Sequence, residues 1–343
     1  MKDNKKHKKA EYGILITRLI ILLAATCVIA LCAGQYSVSV PEVIKILASR
    51  FVNVTKTWSN TAEGVVFTLR LPRMIGAVLV GSALSLSGAA YQGVFKNPLV
   101  APDLLGVSSG ACVGASVAIL LHLNSFGVQA MAFVAGILAV GLTLFIPRLI
   151  KNTNMTMLVL SGIIVKGIMD SVMGIIKYVA DPETELQSIT YWQLGSLTKV
   201  LPRDLFTVGP VIIAASVIIF LLRWRINILS LGDREAKTLG VSVTVVRNFI
   251  IICATLLTAS AVCISGTIGW IGLVIPHFAR MLTGPDNTKA IPASILIGAI
   301  FMVAIDTLAR ALTSVELPLS ILTGIIGAPF YIIILARQRM KLS

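Results

Sequence analysis

Ser82-Ala83-Leu84-Ser85-Leu86-Ser87-Gly88 returns later in the chain as Ser260-Ala261-Val262-Cys263-Ile264-Ser265-Gly266, and in each copy a proline follows ten residues after the glycine (Pro98, Pro276). A second echo, Leu160-Ser161-Gly162-Ile163-Ile164 against Leu322-Thr323-Gly324-Ile325-Ile326, keeps the same order. These echoes sit in apolar stretches near the length that crosses a bilayer, about 20 residues. Clear spans cover residues 14–34, 74–95, 128–147, 157–180, 206–222, 249–265, 291–309 and 321–336. Two weaker ones cover 107–123 and 267–282, the latter interrupted by Pro276 and His277. Counting all of them gives ten helices, and the echoes then match helix two with seven and five with ten. A repeat unit of five crossings is odd, so its second copy runs the opposite way through the membrane. Helices 2–5 and 7–10 thus form an inverted repeat, a feature of transporters whose pathway lies near the repeat interface. Chance recurrence of Ser, Gly and Ile is the alternative, and the matched proline favours a true repeat.

Composition agrees. Of 343 residues, 56% are hydrophobic and only 13% charged, where a soluble domain has about 25% charged. A soluble enzyme, a nucleic-acid-binding domain and a disordered chain are excluded, leaving an all-α integral membrane protein. The net charge of +14 reflects basic flanks. Eighteen Lys and Arg fall in loops on the side of the termini and eight in the opposite loops, so the positive-inside bias places both termini in the cytoplasm. Residues 1–13 read as a cytoplasmic basic tail and 14–343 as one transmembrane domain. The first span is long for a signal sequence and no A-x-A site follows it, so it is retained. Cys27, Cys32, Cys112, Cys253 and Cys263 all lie in apolar runs and predict neither a disulfide framework nor a metal site.

Four segments carry possible contacts. Arg70-Leu71-Pro72-Arg73 opens helix two at its outer mouth, with Pro72 in the first turn; its arginines would anchor to lipid headgroups or meet an acidic partner. The turn from Lys96 to Gly106, with two prolines, is either a tight connector or a constriction at the inner end of a pathway. The loop over about 223–246 holds Leu231-Gly232-Asp233-Arg234-Glu235-Ala236-Lys237-Thr238-Leu239-Gly240-Val241. It predicts a short amphipathic helix with an Asp233–Lys237 pair at i,i+4, stopped by Gly240. Lys166 and Asp170 lie within helix five on one face, either as a structural pair or lining the pathway. No G-x-x-x-x-G-K-[ST], H-E-x-x-H or G-x-S-x-G is present, so the chain predicts no nucleotide binding, no catalysis and no cofactor of its own.

These motifs, with Asn97-Pro98-Leu99, Gly106-Val107-Ser108-Ser109-Gly110-Ala111, Gly272-Leu273-Val274-Ile275-Pro276-His277 and Glu316-Leu317-Pro318 before Gly327-Ala328-Pro329, stand in an order that closely resembles the FecCD-type permease family. Its members are membrane subunits of ATP-driven importers for ferric siderophores, haem and cobalamin. The resemblance implies a ten-helix type II ABC importer permease fold in a prokaryotic cytoplasmic membrane. It implies a second permease subunit (homo- or heterodimer), cytoplasmic ABC ATPase subunits and an extracytoplasmic substrate-binding protein. Arg70, Arg73 and Arg310 match residues that meet acidic groups on the binding protein, which favours docking over lipid anchoring. Leu231, Gly232, Asp233, Glu235, Leu239 and Gly240 match the coupling helix that enters a groove on the ATPase. Asn97 and Leu99 match an inner gate; Asn154 and Met155 match a second gate by position only. Lys166 and Asp170 depart from the apolar channel walls of relatives, and Lys166 would offer an anionic ferric siderophore a foothold. The expected cargo is an iron–siderophore complex, with cobalamin or haem as alternatives. An ion-coupled secondary transporter, with Lys166 and Asp170 moving protons, is the reading from another class.

Overall fold

The computed structural model describes residues 2–152, 154–313 and 315–339, with only the backbone for 2–9 and 333–339. The basic side chains read at the two ends (Lys2, Lys5, Lys6, Lys8, Lys9, Arg337, Arg339, Lys341) lie outside what is described. The regular elements among the described residues are helical, the α-helices following in the order α1 (Lys2–Cys32), α2 (Val40–Ala48), α3 (Asn60–Gly64), α4 (Leu71–Phe95), α5 (Val107–Leu120), α6 (Ser125–Leu149), α7 (Met155–Val179), α8 (Glu185–Leu194), α9 (Pro202–Leu231), α10 (Asp233–Thr238), α11 (Val243–Ser265), α12 (Ile271–Thr283), α13 (Asn287–Ala311) and α14 (Leu319–Arg339). Seven helical segments are long and apolar enough to cross a membrane, and α5, α12 and the Leu319–Ile332 part of α14 are shorter apolar helices. Together these are the ten expected crossings among the described residues. The two weak stretches of sequence are the short helices α5 and α12.

The helices of the first echo, α4 and α11, are the most buried of the long spans. In α4 and α11 the apolar windows are 72% and 78% buried, against 17% in α1, which lies at the periphery. Small residues let their neighbours come close. A side chain at Gly81 would collide with the Gly298 carbonyl of α13, and one at Gly88 with the backbone of Gly272 in α12. The repeat copies diverge at their ends: Gly88 lies inside α4, whereas Gly266, at φ +69°, terminates α11.

Three boundaries differ from the sequence reading. Helix two does not begin near Met74, because α3, a π-helical turn over Val65–Arg70 and α4 join in one helical run, Asn60–Phe95. The Leu71 N–H reaches back to the Val66 carbonyl. This wider turn accommodates Pro72, which has no N–H and crowds the preceding turn of a regular helix. Residues 2–13 are helical, so α1 begins ahead of the span read from residue 14. Helix α9 runs on to Leu231, so the connection expected over about 223–246 shrinks to the stretch between Leu231 and Val243, with α10 within it.

Candidate functional site

On the side of the termini, glycines frame α10. Gly232 sits at φ +153°, ψ 157°, and its carbonyl accepts from Ala236 N at 2.9 Å to open the helix. A Cβ there would run into the Glu235 carboxylate. Gly240, at φ +77°, closes the helix: its N–H donates to the Lys237 carbonyl and Val241 N–H to the Ala236 carbonyl, both at 3.0 Å, which is the Schellman pattern. Leu231 and Leu239 flank α10 and are exposed. Asp233 does not make the expected pair with Lys237. Its Oδ1 accepts from Arg247 Nη2 of α11 at 2.7 Å and from Lys96 Nζ at 3.0 Å. The hydrogen bond from Arg247, and then that from Lys96, hold its pKa below the usual carboxylate value. Asp233 therefore stays ionised near neutral pH, and these bonds weaken only when acid takes the pH down through that lowered pKa.

Lys96 caps α4 in the left-handed conformation, φ 53°. Next to it, Asn97 Oδ1 accepts from Leu99 N at 2.9 Å and ties the following turn, leaving Leu99 exposed. Asn154 caps α7, its side chain accepting from Met157 N at 2.8 Å. Val94, Phe95, Lys96, Asn154, Met155, Asp233 and Arg247 line one cavity of about 280 Å³. Of the coupling residues expected from sequence, Asp233 thus lines the same cavity as Asn154 and Met155, together with Lys96, which precedes the Asn97–Leu99 turn.

A larger cavity, about 400 Å³, lies farther along the bundle. Asp103 comes to it from the 3₁₀ turn before α5, Ser109 from α5, Asp170 from α7, Thr258 from α11, Trp270 from the α11–α12 link and Ser320 from α14. Among the described residues no Lys, Arg or His lines it. Trp270 holds φ +71°, ψ −37°, with Ile271 N donating to the Gly269 carbonyl at 2.9 Å, a γ-turn of the rare strained kind. Its indole lies against Gly324 and Gly327 of α14. Among the described residues Lys166 and Asp170 form no ion pair with each other; both are exposed, and Asp170 alone reaches the cavity.

At the far end the expected docking arginines face inward. Arg70, Arg73 and Arg310 are 5%, 8% and 9% exposed. Arg70 Nη1 donates to the Leu31 and Cys32 carbonyls at 2.7 and 3.0 Å, and Nη2 to the Tyr36 carbonyl. Arg310 donates to the Ala33 carbonyl at 2.8 Å and to the Ala30 carbonyl. Two guanidinium groups thereby satisfy the last carbonyls of α1, which have no partner within the helix and carry its negative dipole end. Arg73 binds Asp306 of α13 at 2.9 Å through Nε and Glu316 at 2.8 Å through Nη1. These charges find their partners inside the chain.

A model of the FecCD transport family matches residues 22–337. The chain belongs to the FecCD transport family. It is 37% identical over 94% of its length to the molybdate import system permease protein MolB of Haemophilus influenzae, covering 95% of that protein. It is 40% identical over 80% of its length to a Helicobacter pylori protein named as a probable iron chelatin transport system permease, covering 83% of it. An ABC transporter described as of metal-chelate type, solved in an inward-facing conformation, superposes with a TM-score of 0.85 at 34% identity, over 95% of this chain and 99% of that one. This FecCD protein is an ABC importer permease, a transport component that works with a second permease subunit and a separate ATPase that hydrolyses the ATP.

Sequence reasoning missed several groups that the structure brings to these cavities and networks. Lys96 and Arg247 counted only as basic loop residues, although the turn beside Asn97 was in view. Asp103 lies in the Lys96–Gly106 turn, read as a connector or a constriction, and Trp270 in the weak span 267–282, and neither side chain stood out there. The partners of Arg73, Asp306 and Glu316, are 233 and 243 positions away; two isolated acids flanking Arg310 in an apolar region were the available signal.

Proposed function

We propose that this permease, with a second permease subunit, lines a conduit for a ferric chelate of the siderophore type that is uncharged or cationic. The observation that carries the reading is the lining of the larger cavity: Asp103 and Asp170 with hydroxyls, an amide and an indole, and, among the described residues, no basic side chain. Two like unit charges about 8 Å apart repel by about 2 kcal/mol at an effective dielectric near 20. Free molybdate carries two negative charges and would meet that cost twice at each carboxylate. A neutral chelate that presents N–H and O–H groups would instead find acceptors. The foothold expected on Lys166 for an anionic siderophore is replaced by this acidic wall.

In this reading both termini are cytoplasmic, in keeping with the positive-inside bias. The ATPase receives the coupling segment: Leu231 and Leu239 supply exposed apolar anchors, Asp233 and Glu235 polar ones, and Gly232 and Gly240 set its geometry. Asn97, Leu99, Asn154 and Met155 form the inner gate. An extracytoplasmic binding protein docks on the far surface, which the Arg70, Arg73 and Arg310 network holds in shape instead of presenting its charges directly. The test is uptake by cells whose own related importers have been deleted and which express this permease with its partner subunits. Radiolabelled iron in an uncharged ferric trihydroxamate is expected to accumulate, and radiolabelled molybdate is not. Accumulation of molybdate in place of iron would overturn the cargo reading.

A further inference from the structure

We infer that Lys96 and Arg247 are positioning residues that, through the Asp233 carboxylate, carry movement of α10 to the turn at Asn97–Leu99. The inference rests on the proposed docking of α10 to an ATPase. It adds a connection that neither coupling segment nor gate supplies alone.

One oxygen, Asp233 Oδ1, receives both cations, Arg247 Nη2 at 2.7 Å and Lys96 Nζ at 3.0 Å. Arg247 belongs to α11, one of the most buried helices, and gives the carboxylate a fixed reference on the bundle. Lys96 is the residue at which α4 ends, and the two residues that follow it complete the tied turn to Leu99. Its left-handed conformation makes it a joint between a packed helix and an exposed turn. Displacement of α10 by an ATPase therefore strains the bond to Lys96 or Arg247, and Lys96 is the end with freedom to follow. The shared cavity of about 280 Å³ is lined by Lys96 and Met155 and gives both side chains room to move. Lys96 and Asp233 are substantially exposed, and such exposed pairs contribute little to folding. Their geometry points to transmission of movement, and replacing Lys96 should leave the fold intact.

The experiment uses the permease with its ATPase subunits, in a background where the five cysteines are alanine. Thr238→Cys reports on α10 and Leu99→Cys on the turn, each read as the rate of thiol alkylation with and without ATP. With Lys96 present, both rates are expected to change at least about threefold on ATP binding, a shift of about 0.65 kcal/mol. With Lys96→Met the response at Thr238→Cys persists, and that at Leu99→Cys falls to within experimental scatter. Lys96→Arg, which keeps the cation, restores it. Arg247→Gln should also reduce the Leu99→Cys response, because α10 then loses its fixed reference. A full response at Leu99→Cys in Lys96→Met overturns the relay. Absence of a response at Thr238→Cys in the parent complex overturns the coupling assignment itself, so the two failures are separable.

Discussion

Gly232→Ala is expected to lower ATP-driven uptake by roughly tenfold or more while leaving the membrane helices assembled. The φ of +153° with ψ 157° belongs to a region that is essentially closed to residues with a Cβ and costs about 1–3 kcal/mol to hold with one. The added methyl would also overlap the Glu235 carboxylate. The exposed Glu235 carboxylate swings aside at little cost, whereas the backbone cost is relieved by a rotation of α10 away from the end of α9. Such a rotation displaces Leu239 and Asp233 from where a partner would meet them. Uptake and thermal melting of the purified permease should be measured on the same preparation: lost uptake with unchanged melting is the expected pair of results. Wild-type uptake in Gly232→Ala would mean that α10 tolerates reorientation and does not set the contact.

Arg73→Met is expected to act on stability and not on coupling. It strands Asp306, a buried carboxylate whose remaining cation, Arg310, is 3.8 Å away through Nε. Removing one partner of a buried ion pair costs about 3–5 kcal/mol, and the residual contact with Arg310 places this variant near the lower end. Asp306→Asn added to Arg73→Met removes the stranded charge and should recover much of the lost melting temperature. That recovery separates a structural ion pair from a docking charge, since docking to an acidic partner would be no better in the double variant. If Arg73→Met melts as the parent does and only loses affinity for a binding protein, the inward network is not the role of this arginine.

Legibility in the sequence tracked the range of the interaction. The ten crossings could be read because hydropathy over about 20 residues is a local property, and parity rescued the short helices α5 and α12. The end of α10 could be read because Gly240 acts within one turn of the backbone, whereas its start at Gly232 could not. Pairing failed wherever a distant partner outcompeted a near one. Asp233 lies four residues from Lys237 but bonds to Arg247 and to Lys96, 137 positions away. Arg70 and Arg310 looked like surface charges because nothing local announces that the end of α1 needs donors. The Lys166–Asp170 spacing placed both on one face of α7, yet the cavity takes only Asp170, because its other walls come from α5, α11 and α14. The π turn before Pro72 was invisible because a proline pattern alone does not separate a helix start from a widened turn.

The central claim is that this chain is a conduit whose motor is a separate ATPase acting at α10. It is tested most directly by uptake of an iron-55 ferric trihydroxamate into proteoliposomes holding the permease, its ATPase and its binding protein, with ATP or a non-hydrolysable analogue supplied at the α10 face. Accumulation with ATP and none with the analogue is the expected result. Equal accumulation with both, or uptake that follows a proton gradient in the absence of ATP, would contradict it.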